Sequence, residues 1–382
     1  KQYISNAFAN LSEKVIGTII SFNSRNLKES VDLTLRTALD NLQTLLLQGT
    51  MDILTDINQI ITEKSGLLGM LKDLTIDWLQ QEFQHFFKAL NDQFFLLSGK
   101  TKSVRQDTAL TEETHYDKPS PGLVLVLSQL SVFVERSVVP KITEKMATSY
   151  LRAFVPDEIC RIFRSSADKL LCQYINMRSQ RVSILLRKRF TVPHWNKHKE
   201  PRDVHMFVDL FLQELEETGI EVKQILPEGP MRKHRRTDSN GSTASSRSNP
   251  FIKAARSNTE KGRSQLLETH LAKLFKQKVE IFTKIEYTQE SVVSMVVKLC
   301  LKSVQEFVRL QSYNRSGFQQ IQLDIQFLRG PLTSIVMDEA AVDFLLDEVI
   351  VAASERCNDP IPLEPFILDK LIQNKLGKSN DQ

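Results

Sequence analysis

The feature that most constrains this chain is an apolar stripe that recurs every three or four residues over long stretches. Across residues 27–63 this spacing places the apolar side chains on one face of a helix about 50 Å long, at ~1.5 Å rise per residue. A wider stripe over residues 67–97 predicts contact with more than one neighbour. The chain has only 13 Gly and 13 Pro in 382 residues, so turns are few. The pattern predicts an all-α protein of elongated, stacked helical bundles, a helical rod.

The helical pattern continues after a polar loop at residues 99–122. Pro140 predicts a kink or break in the next helix, because proline removes a backbone donor. Pro156 and Asp157 suit the start of another helix, as a first-turn proline and a capping carboxylate. Only residues 220–226 could form a strand. The predicted helices of this part cover residues 27–63, 67–97, 123–154, 156–189 and 205–217, the last ending near Gly219.

The C-terminal part predicts a compact bundle around one buried helix. Residues 292–301 are apolar on nearly every side, so the helix that contains them must be surrounded. Thr288 and Asp338 are the expected N-caps of two helices, and Gly330 with Pro331 is expected to stop a third. The predicted helices of this part cover residues 265–285, 289–311, 315–329, 338–357 and 366–375.

Residues 227–263 form a basic, Ser-rich segment without apolar periodicity. Nine Lys and Arg residues lie within residues 229–263 against two acidic ones, so the remainder of the chain is slightly acidic and has no strong field for nucleic acid. The segment cannot bury enough apolar surface to offset the entropy of ordering. It predicts a disordered linker between an N-terminal body, residues 1–226, and a C-terminal body, residues 264–382.

The basic segment has three interpretations. Arg232, Lys233, Arg235 and Arg236 could contact an anionic membrane, or they could form a nuclear-localisation or nucleic-acid patch. The segment could also be a soluble spacer, with Ser239 as a site for a basophilic kinase, where a phosphate would reduce the local positive charge. We favour the spacer, and expect no nucleic-acid partner.

One stretch has a spacing that resembles a metal site. His194 and His198 lie four residues apart, with Asp203 and His205 nearby, but prolines bracket the stretch and the Glu of a zinc-protease helix is absent. We interpret it as an exposed basic loop. The chain also lacks phosphate-binding and nucleophile-elbow glycine motifs, and the Trp and Phe stripe at residues 78–95 is typical of a core. The sequence therefore predicts no catalytic residue, metal or cofactor, and no enzyme.

Cysteine usage and hydropathy favour a cytosolic protein. No stretch approaches the roughly 18 to 20 consecutive apolar residues that span a bilayer, and the best lies at residues 292–301. The chain begins at Lys1 without a signal-peptide pattern, so we interpret it as a piece of a longer protein whose N-terminal part is missing. Four scattered cysteines in apolar contexts are expected to be reduced and buried: Cys160, Cys172, Cys300 and Cys357.

Several short motifs in roughly the last hundred residues are specific as a set. They are Glu306-Phe-Val-Arg309, Gln319-Gln-Ile-Gln-Leu-Asp324, Phe327-Leu-Arg329, Leu345-Leu-Asp-Glu348, and the run from Ala353 through Arg356 to Asp359-Pro-Ile-Pro-Leu-Glu364. Together they resemble the C-terminal region of the vacuolar protein sorting-associated protein 51 family.

This resemblance implies a subunit of the Golgi-associated retrograde protein complex (GARP) and the endosome-associated recycling protein complex (EARP), which tether endosome-derived carriers. It implies a rod of helical bundles, like exocyst and conserved oligomeric Golgi subunits, located in the cytosol and peripherally at the trans-Golgi network and recycling endosomes. The implied partners are sister subunits, a small GTPase or a membrane surface, and SNARE proteins. The family's assembly coiled coil and SNARE-binding segment would precede this chain, so no residue here carries those roles.

Two alternatives from other classes remain open. The chain could be a peripheral membrane-binding module acting through residues 232–236, or a subunit of another helical-rod tether of the exocyst or conserved oligomeric Golgi type. An enzyme with an unrecognised helical active site would need a polar residue essential for turnover, and the sequence nominates none.

Overall fold

The computed structural model describes residues 2–26, 34–62, 72–99, 119–148, 156–229 and 284–380. Within these ranges every regular element is a helix, and the β-type pairing consists of one isolated bridge between Tyr313 and Cys357. The all-α prediction is confirmed. The chain divides into two compact units, Lys1–Tyr174 and Ile175–Gln382.

The first unit is a bundle of amphipathic helices. The predicted helices over residues 27–63 and 67–97 are confirmed as far as they are described, whereas residues 27–33 and 63–71 lie outside the described ranges. The helices are α1 (Gln2–Asn26), α2 (Thr34–Thr62), α3 (Lys72–Leu97), α4 (Pro121–Phe133), α5 (Val139–Thr148) and the first part of α6 (Pro156–Thr191).

Phenylalanine rings fill the centre of this unit. Phe8 of α1 lies 4.9 Å from Phe83 in an edge-to-face contact, and 5.0 Å from Phe86. Phe87 meets Phe163 of α6 edge to face at 5.9 Å. Each such pair adds about 0.5–1.5 kcal/mol beyond the burial of apolar area. The wide stripe of α3 is therefore core that joins α1, α3 and α6.

The segment from residue 121 to residue 148 stays helical through Pro140. A π-helical turn, Val134–Val138, separates α4 from α5, and the Val139 N–H bonds the carbonyl of Val134, five residues back. The predicted kink or break is thus a local change of hydrogen-bond register just before the proline, which cannot donate. The preceding loop also ends two residues earlier than predicted, because Ser120 caps α4.

The same stretch corrects the expectation about membrane-spanning segments. Residues Pro121–Met146 form one helical stretch that is long and apolar enough to cross a bilayer by length and composition alone, and 72% of its most apolar window is buried inside the protein. Ser128, Gln129 and Ser131 interrupt the apolar run, so a criterion based on consecutive apolar residues does not detect this stretch. Burial of this kind is typical of a core helix.

The second unit surrounds one apolar helix, as predicted. Val292, Val296, Val297 and Cys300 of α8 are fully buried, and α8 packs against α7, α9 and α10. The helices are the rest of α6, α7 (Met206–Ile225), α8 (Gln289–Arg309), α9 (Arg315–Ile335), α10 (Glu339–Glu355) and α11 (Pro365–Asn380).

Four N-terminal caps hold helices of this unit. Thr288 caps α8, accepting from the Ser291 N–H, and Asp338 caps α10, accepting from the Ala341 N–H, which confirms both predictions. Asn314 and His205 cap α9 and α7 in the same way. Asp157, by contrast, lies inside the first turn of α6, because that helix begins at Pro156.

Two predicted helix ends are wrong. Gly219 lies inside α7, which continues through the expected strand to Ile225, since Val222 and Ile225 are buried. Gly330 and Pro331 lie inside α9, which runs on to Ile335. Burial of Leu328 and Leu332 on either side of the proline outweighs the one hydrogen bond that it removes.

The basic segment does not separate the two compact units. Helices α7 and α8 flank it and pack against each other in the second unit, while the division between units falls inside α6. The predicted disorder concerns residues 230–263, outside the described ranges, and stays a prediction. The predicted helix at residues 265–285 also lies almost wholly outside them.

Hydrogen bonds join the two ends of residues 230–283. The Gly229 N–H donates to Glu290 Oε2 at 2.7 Å, and the Gln289 N–H donates to the Pro227 carbonyl at 3.1 Å. The Gln289 side chain also donates to the Leu226 carbonyl at 2.7 Å. The chain therefore leaves and re-enters the second unit at one place, so residues 230–283 are an insertion in it.

The four cysteines are free thiols. Cys300 and Cys357 are buried, and burial raises the pKa of Cys300 to about 12. Cys160 is half-buried and Cys172 is exposed. The prediction of buried thiols is thus wrong for Cys172, whose position on α6 faces away from the core.

A buried ion pair joins α6 and α7. Arg178 Nε donates to Glu221 Oε2 at 2.8 Å, and the two side chains are 8% and 7% exposed. Next to it, Arg181 lies 3.2 Å from Glu214 and 3.4 Å from Glu217, which is 43% exposed. The interior pair has lost most of its hydration, so each charge depends on the other.

We predict that Glu221→Ala destabilises the protein by about 3–5 kcal/mol, because it leaves the Arg178 charge buried without its carboxylate. Glu217→Ala removes a partly exposed partner and should cost less than about 1 kcal/mol. Urea denaturation monitored by circular dichroism measures both. Equal effects of the two substitutions would contradict this account.

We also predict that residues 230–283 can be replaced by a short Gly-Ser linker without loss of the second unit. A shorter connection between two chain positions that are already bonded to each other lowers the entropy cost of closure, so the free energy of unfolding should stay equal or rise by about 1–2 kcal/mol. Thermal unfolding and circular dichroism test this. A linker of the same kind replacing residues 206–225, the α7 helix, is the control, and should unfold the unit.

Candidate functional site

Polar side chains of α9 lie in the interior of the second unit. Gln319, Gln320 and Gln322 are at most 9% exposed and Asp324 is fully buried, although glutamine and aspartate normally face solvent. Buried polar groups of this kind must be hydrogen-bonded to be tolerated. We call these four residues the polar cradle of α9, because they hold two irregular segments against the helix.

The first segment held by the cradle is residues 193–205. Gln320 Nε2 donates to the Asp203 carbonyl at 3.0 Å and to Asp324 Oδ1 at 2.9 Å. The same Asp324 oxygen accepts from the His205 N–H at 2.8 Å. The cradle therefore fixes the residue that caps α7.

The second segment is the proline-rich run at residues 359–364. Gln319 Nε2 donates to the Ile361 carbonyl at 3.1 Å, and Gln322 Oε1 accepts from the Leu363 N–H at 2.8 Å. Pro360 and Pro362 have no N–H of their own, so this run cannot pair as a strand would. Two glutamine side chains supply the missing partners.

Trp195 anchors the first segment. Its ring is 2% exposed, its Nε1 donates to the Phe190 carbonyl at 2.8 Å, and its own carbonyl accepts from the Asn314 N–H at 3.3 Å. A Cβ on Gly317 would stand 2.5 Å from the Trp195 carbonyl oxygen. Glycine at this position is what allows α9 to approach the segment.

Asp324 is neutral in the folded protein at neutral pH. Complete burial raises its pKa from 3.8 to about 8, although the His205 N–H and the Gln320 side chain both favour the charged form. Its Oδ2 has no hydrogen-bond partner among the described residues, and burying a charged oxygen without a partner costs more than burying a neutral hydroxyl without one. Burial also lowers the pKa of His205, whose neutral Nδ1 accepts from Phe207 N–H at 3.2 Å.

The histidines with metal-like spacing do not converge. Across the described ranges, no three His, Cys, Asp or Glu side chains are placed to hold a metal ion. His198 stacks on Trp195 at 5.4 Å, and its Nδ1 lies 2.8 Å from the Lys199 carbonyl. His205 caps α7, and His194 is exposed. The exposed-loop interpretation is wrong in part, because Trp195 and Val204 are buried.

The predicted sites of the basic segment lie outside the described ranges. These residues are Ser239, the predicted phosphorylation site, and the predicted membrane contacts Arg232, Lys233, Arg235 and Arg236. Both assignments stay predictions.

The remaining motif residues also make packing contacts. Arg329 of α9 reaches α10, with 2.7 Å to Asp343 and 2.7 Å to Asp347. Gln305 Nε2 of α8 donates to Glu348 at 2.5 Å. These charged and amide groups join α8, α9 and α10 through hydrogen bonds and salt bridges within the unit.

Two surface depressions are open to solvent. One of about 620 Å³ lies between α1 and α2, lined by Leu11, Lys14, Gln48 and Gly49 among others. The other, of about 530 Å³, lies over residues 193–203. Asp324, the carboxylate of the polar cradle, lines neither depression. The shift in its pKa therefore results from burial in the core. This arrangement favours a protein that acts through its surfaces.

The raised pKa of Asp324 predicts a pH-dependent stability. The carboxyl is protonated when folded and ionises in the unfolded chain, so its contribution is complete below pH 3.8 and is lost as pH rises to about 8. Asp324→Asn keeps an oxygen for His205 and Gln320 and does not ionise. We expect this variant to show a flatter stability profile from pH 4 to 8 and to be more stable than the parent at pH 8.

Urea denaturation at a series of pH values measures this difference. Asp369→Asn, on the exposed side of α11, is the matched control and should keep the parent profile. An Asp324→Asn profile parallel to that of the parent would contradict the burial of a neutral acid.

Comparison with known proteins shows which family this chain resembles. The chain is 57% identical over 396 aligned residues to the vacuolar protein sorting-associated protein 51 homolog of Arabidopsis thaliana, covering 100% of the chain and 50% of that protein. It is 32% identical over 261 residues to the Danio rerio homolog, covering 66% of the chain and 31% of that protein. The Homo sapiens homolog is 31% identical over 264 residues, with 66% and 33% covered.

No family model and no solved structure matches the chain. The chain spans about half the length of the Arabidopsis relative, and about a third of the two animal ones. The match to the Arabidopsis protein covers both compact units, and so extends the resemblance beyond the C-terminal motifs on which it was first based. The chain belongs to the family of vacuolar protein sorting-associated protein 51 homologs.

Proposed function

We propose that this chain is the non-catalytic helical portion of a subunit of the GARP and EARP tethering complexes. In this role it supports retrograde transport from endosomes to the trans-Golgi network and recycling from endosomes. The observation that carries the proposal is the 57% identity over the whole chain to a vacuolar protein sorting-associated protein 51 homolog. Sister subunits are its partners, and it acts in the cytosol at the surfaces of these compartments.

The chemistry of the described residues supports a binding role. Asp324, the carboxyl with the largest shift in pKa, is fully buried and lines neither of the two surface depressions. The polar motif residues bond to backbone groups and to neighbouring helices, as Gln319 and Arg329 do. Because these buried polar groups are used in internal hydrogen bonds, partners must be recognised by residues on the surface.

We further propose that complex assembly and SNARE binding belong to segments that precede this region in the whole protein. The helical bundles described here would then act after assembly, by presenting surfaces to a carrier or to a regulator such as a small GTPase. Loss of the region should therefore leave a complex that forms and does not work.

Cells lacking the gene, restored with the whole protein or with a version without this region, test the proposal. We expect the truncated protein to co-purify the sister subunits at near-normal yield, because assembly lies upstream, and to fail in returning an endosomal cargo to the trans-Golgi network. Quantitative mass spectrometry of the purified complex and imaging of the cargo are the measurements. The isolated chain, carrying residues 1–382, should recover few subunits.

Two outcomes would contradict the proposal. Normal cargo return without this region would show that transport does not need it. Equal recovery of sister subunits by the isolated chain and by the whole protein would place assembly within the bundles described here. The Glu217→Ala variant of the whole protein, which changes one partly exposed carboxylate, serves as a control for expression and should restore transport.

A further inference from the structure

A cluster of exposed cations lies between the end of α6 and the start of α7. All six side chains are exposed, and none forms an ion pair with a described residue. We call this cluster the basic shelf. It consists of Arg187, Lys188, Arg189, Lys197, Lys199 and Arg202.

Helix chemistry explains only part of the shelf. Arg187, Lys188 and Arg189 lie at the C-terminal end of α6, where cations interact favourably with the helix dipole. Lys199 and Arg202 lie outside any helix, so this argument does not apply to them. Glu200 and Asp203 lie next to them in the sequence, yet neither Lys199 nor Arg202 forms a salt bridge with a described residue, so both remain available for an external anion.

The shelf stands on a fixed base. Trp195 is buried beneath it, with its ring 5.0 Å from Phe190 and 5.5 Å from Tyr313. Asn314 Nδ2 donates to the His198 carbonyl at 2.9 Å, and Gln320 holds Asp203. These contacts hold the backbone between the cations in one conformation, so little side-chain ordering beyond the cations themselves opposes binding.

The cations surround an open depression. Lys197, Lys199 and Arg202 line the volume of about 530 Å³ together with His194 and His198, and the acidic Glu200 and Asp203 also line it. Arg189 is close enough to His205 to lower its pKa, though less than burial does, which places the end of α6 beside the same segment. Three cations against two carboxylates leave the depression with a net positive charge.

Exposed apolar side chains accompany the cations. Val192, three residues after Arg189, is 75% exposed, and Leu310 is 73% exposed. Leu310 lies between Phe307, whose ring is 6.4 Å from Phe190, and Tyr313, which packs on Trp195. Val192 lies three residues before Trp195, and Leu310 three residues before Tyr313, so both lie near the Trp195 base along the chain.

We propose that the basic shelf binds the surface of a membrane containing anionic phospholipids, with the cations on the headgroups and Val192 and Leu310 at the interface. Juxtaposed basic and exposed apolar side chains suit the boundary between headgroups and acyl chains. An acidic peptide fits less well, because three backbone groups of the segment, at His198, Asp203 and His205, are already bonded to α9 and Asn314 and cannot pair with a peptide strand. This proposal does not depend on membership of a tethering complex.

Vesicle flotation with the purified full chain tests the proposal. We expect binding to phosphatidylcholine vesicles that contain phosphatidylserine, little binding to phosphatidylcholine alone, and release by salt. Neutralising Lys197→Gln together with Lys199→Gln should weaken binding about 30-fold, at about tenfold for each 1.4 kcal/mol and about 1 kcal/mol for each cation. Val192→Gln should weaken it several-fold with no change in salt dependence.

The matched control is Lys141→Gln with Lys169→Gln, which removes two exposed cations of the first unit. Unchanged circular dichroism and thermal unfolding show that each variant is folded. Equal weakening by control and shelf variants would overturn the proposal, as would equal binding to both kinds of vesicle or no binding to either. If only neutralisation of residues 232–236 abolished vesicle binding, the proposal would be overturned in favour of the basic segment. If an acidic peptide bound to the basic shelf and displaced the vesicles, the proposal would be overturned in favour of a protein partner.

Discussion

Hydrogen bonds from α9 side chains to buried backbone are the interaction on which the second unit depends. The described part of the chain has no sheet, so a segment that runs between its helices has no ladder to satisfy its N–H and C=O groups. Burying such groups unpaired costs about 1–3 kcal/mol each. Gln319 and Gln322 satisfy the proline-rich run, and Gln320 with Asp324 satisfies the segment that carries Trp195. The outer surface of the unit, including the exposed cations, therefore takes its shape from an interior helix.

Local chemistry made part of this fold predictable. Thr288 and Asp338 were identified as caps because a short polar side chain before an apolar helix bonds that helix's own first turn. The burial of α8 followed from its lack of a polar face. Helix ends were missed wherever burial overrode a local preference, as at Pro331, where Leu328 and Leu332 hold α9 together across the proline. Such an override involves packing partners distant in sequence, which periodicity does not contain.

The two compact units and the polar cradle show the same limit on what sequence alone can predict. Composition located the basic segment, yet only the packing of α7 on α8 and the bond from Gly229 to Glu290 show that the chain leaves and re-enters the second unit at one place. The Gln319–Asp324 motif was visible in the sequence, but its role depends on partners more than a hundred residues away, such as Asp203 and His205. Trp195 carried no pattern of its own, and its importance comes from the approach of α9 at Gly317.

These observations bear on what the family resemblance means physically. The motif residues behind this resemblance make contacts inside the second unit. Arg329 forms salt bridges with Asp343 and Asp347, and Gln319 donates a hydrogen bond to the Ile361 carbonyl. A likeness based on such residues reports a common architecture, because Gln319, Gln322 and Arg329 are each bonded to a partner inside the unit. Function must then reside in exposed side chains, which can differ without disturbing the fold. The basic shelf lies on the segment that the motif residues fix most tightly, so the architecture shared with relatives sets where such a surface can be placed, and the side chains exposed there decide what it binds.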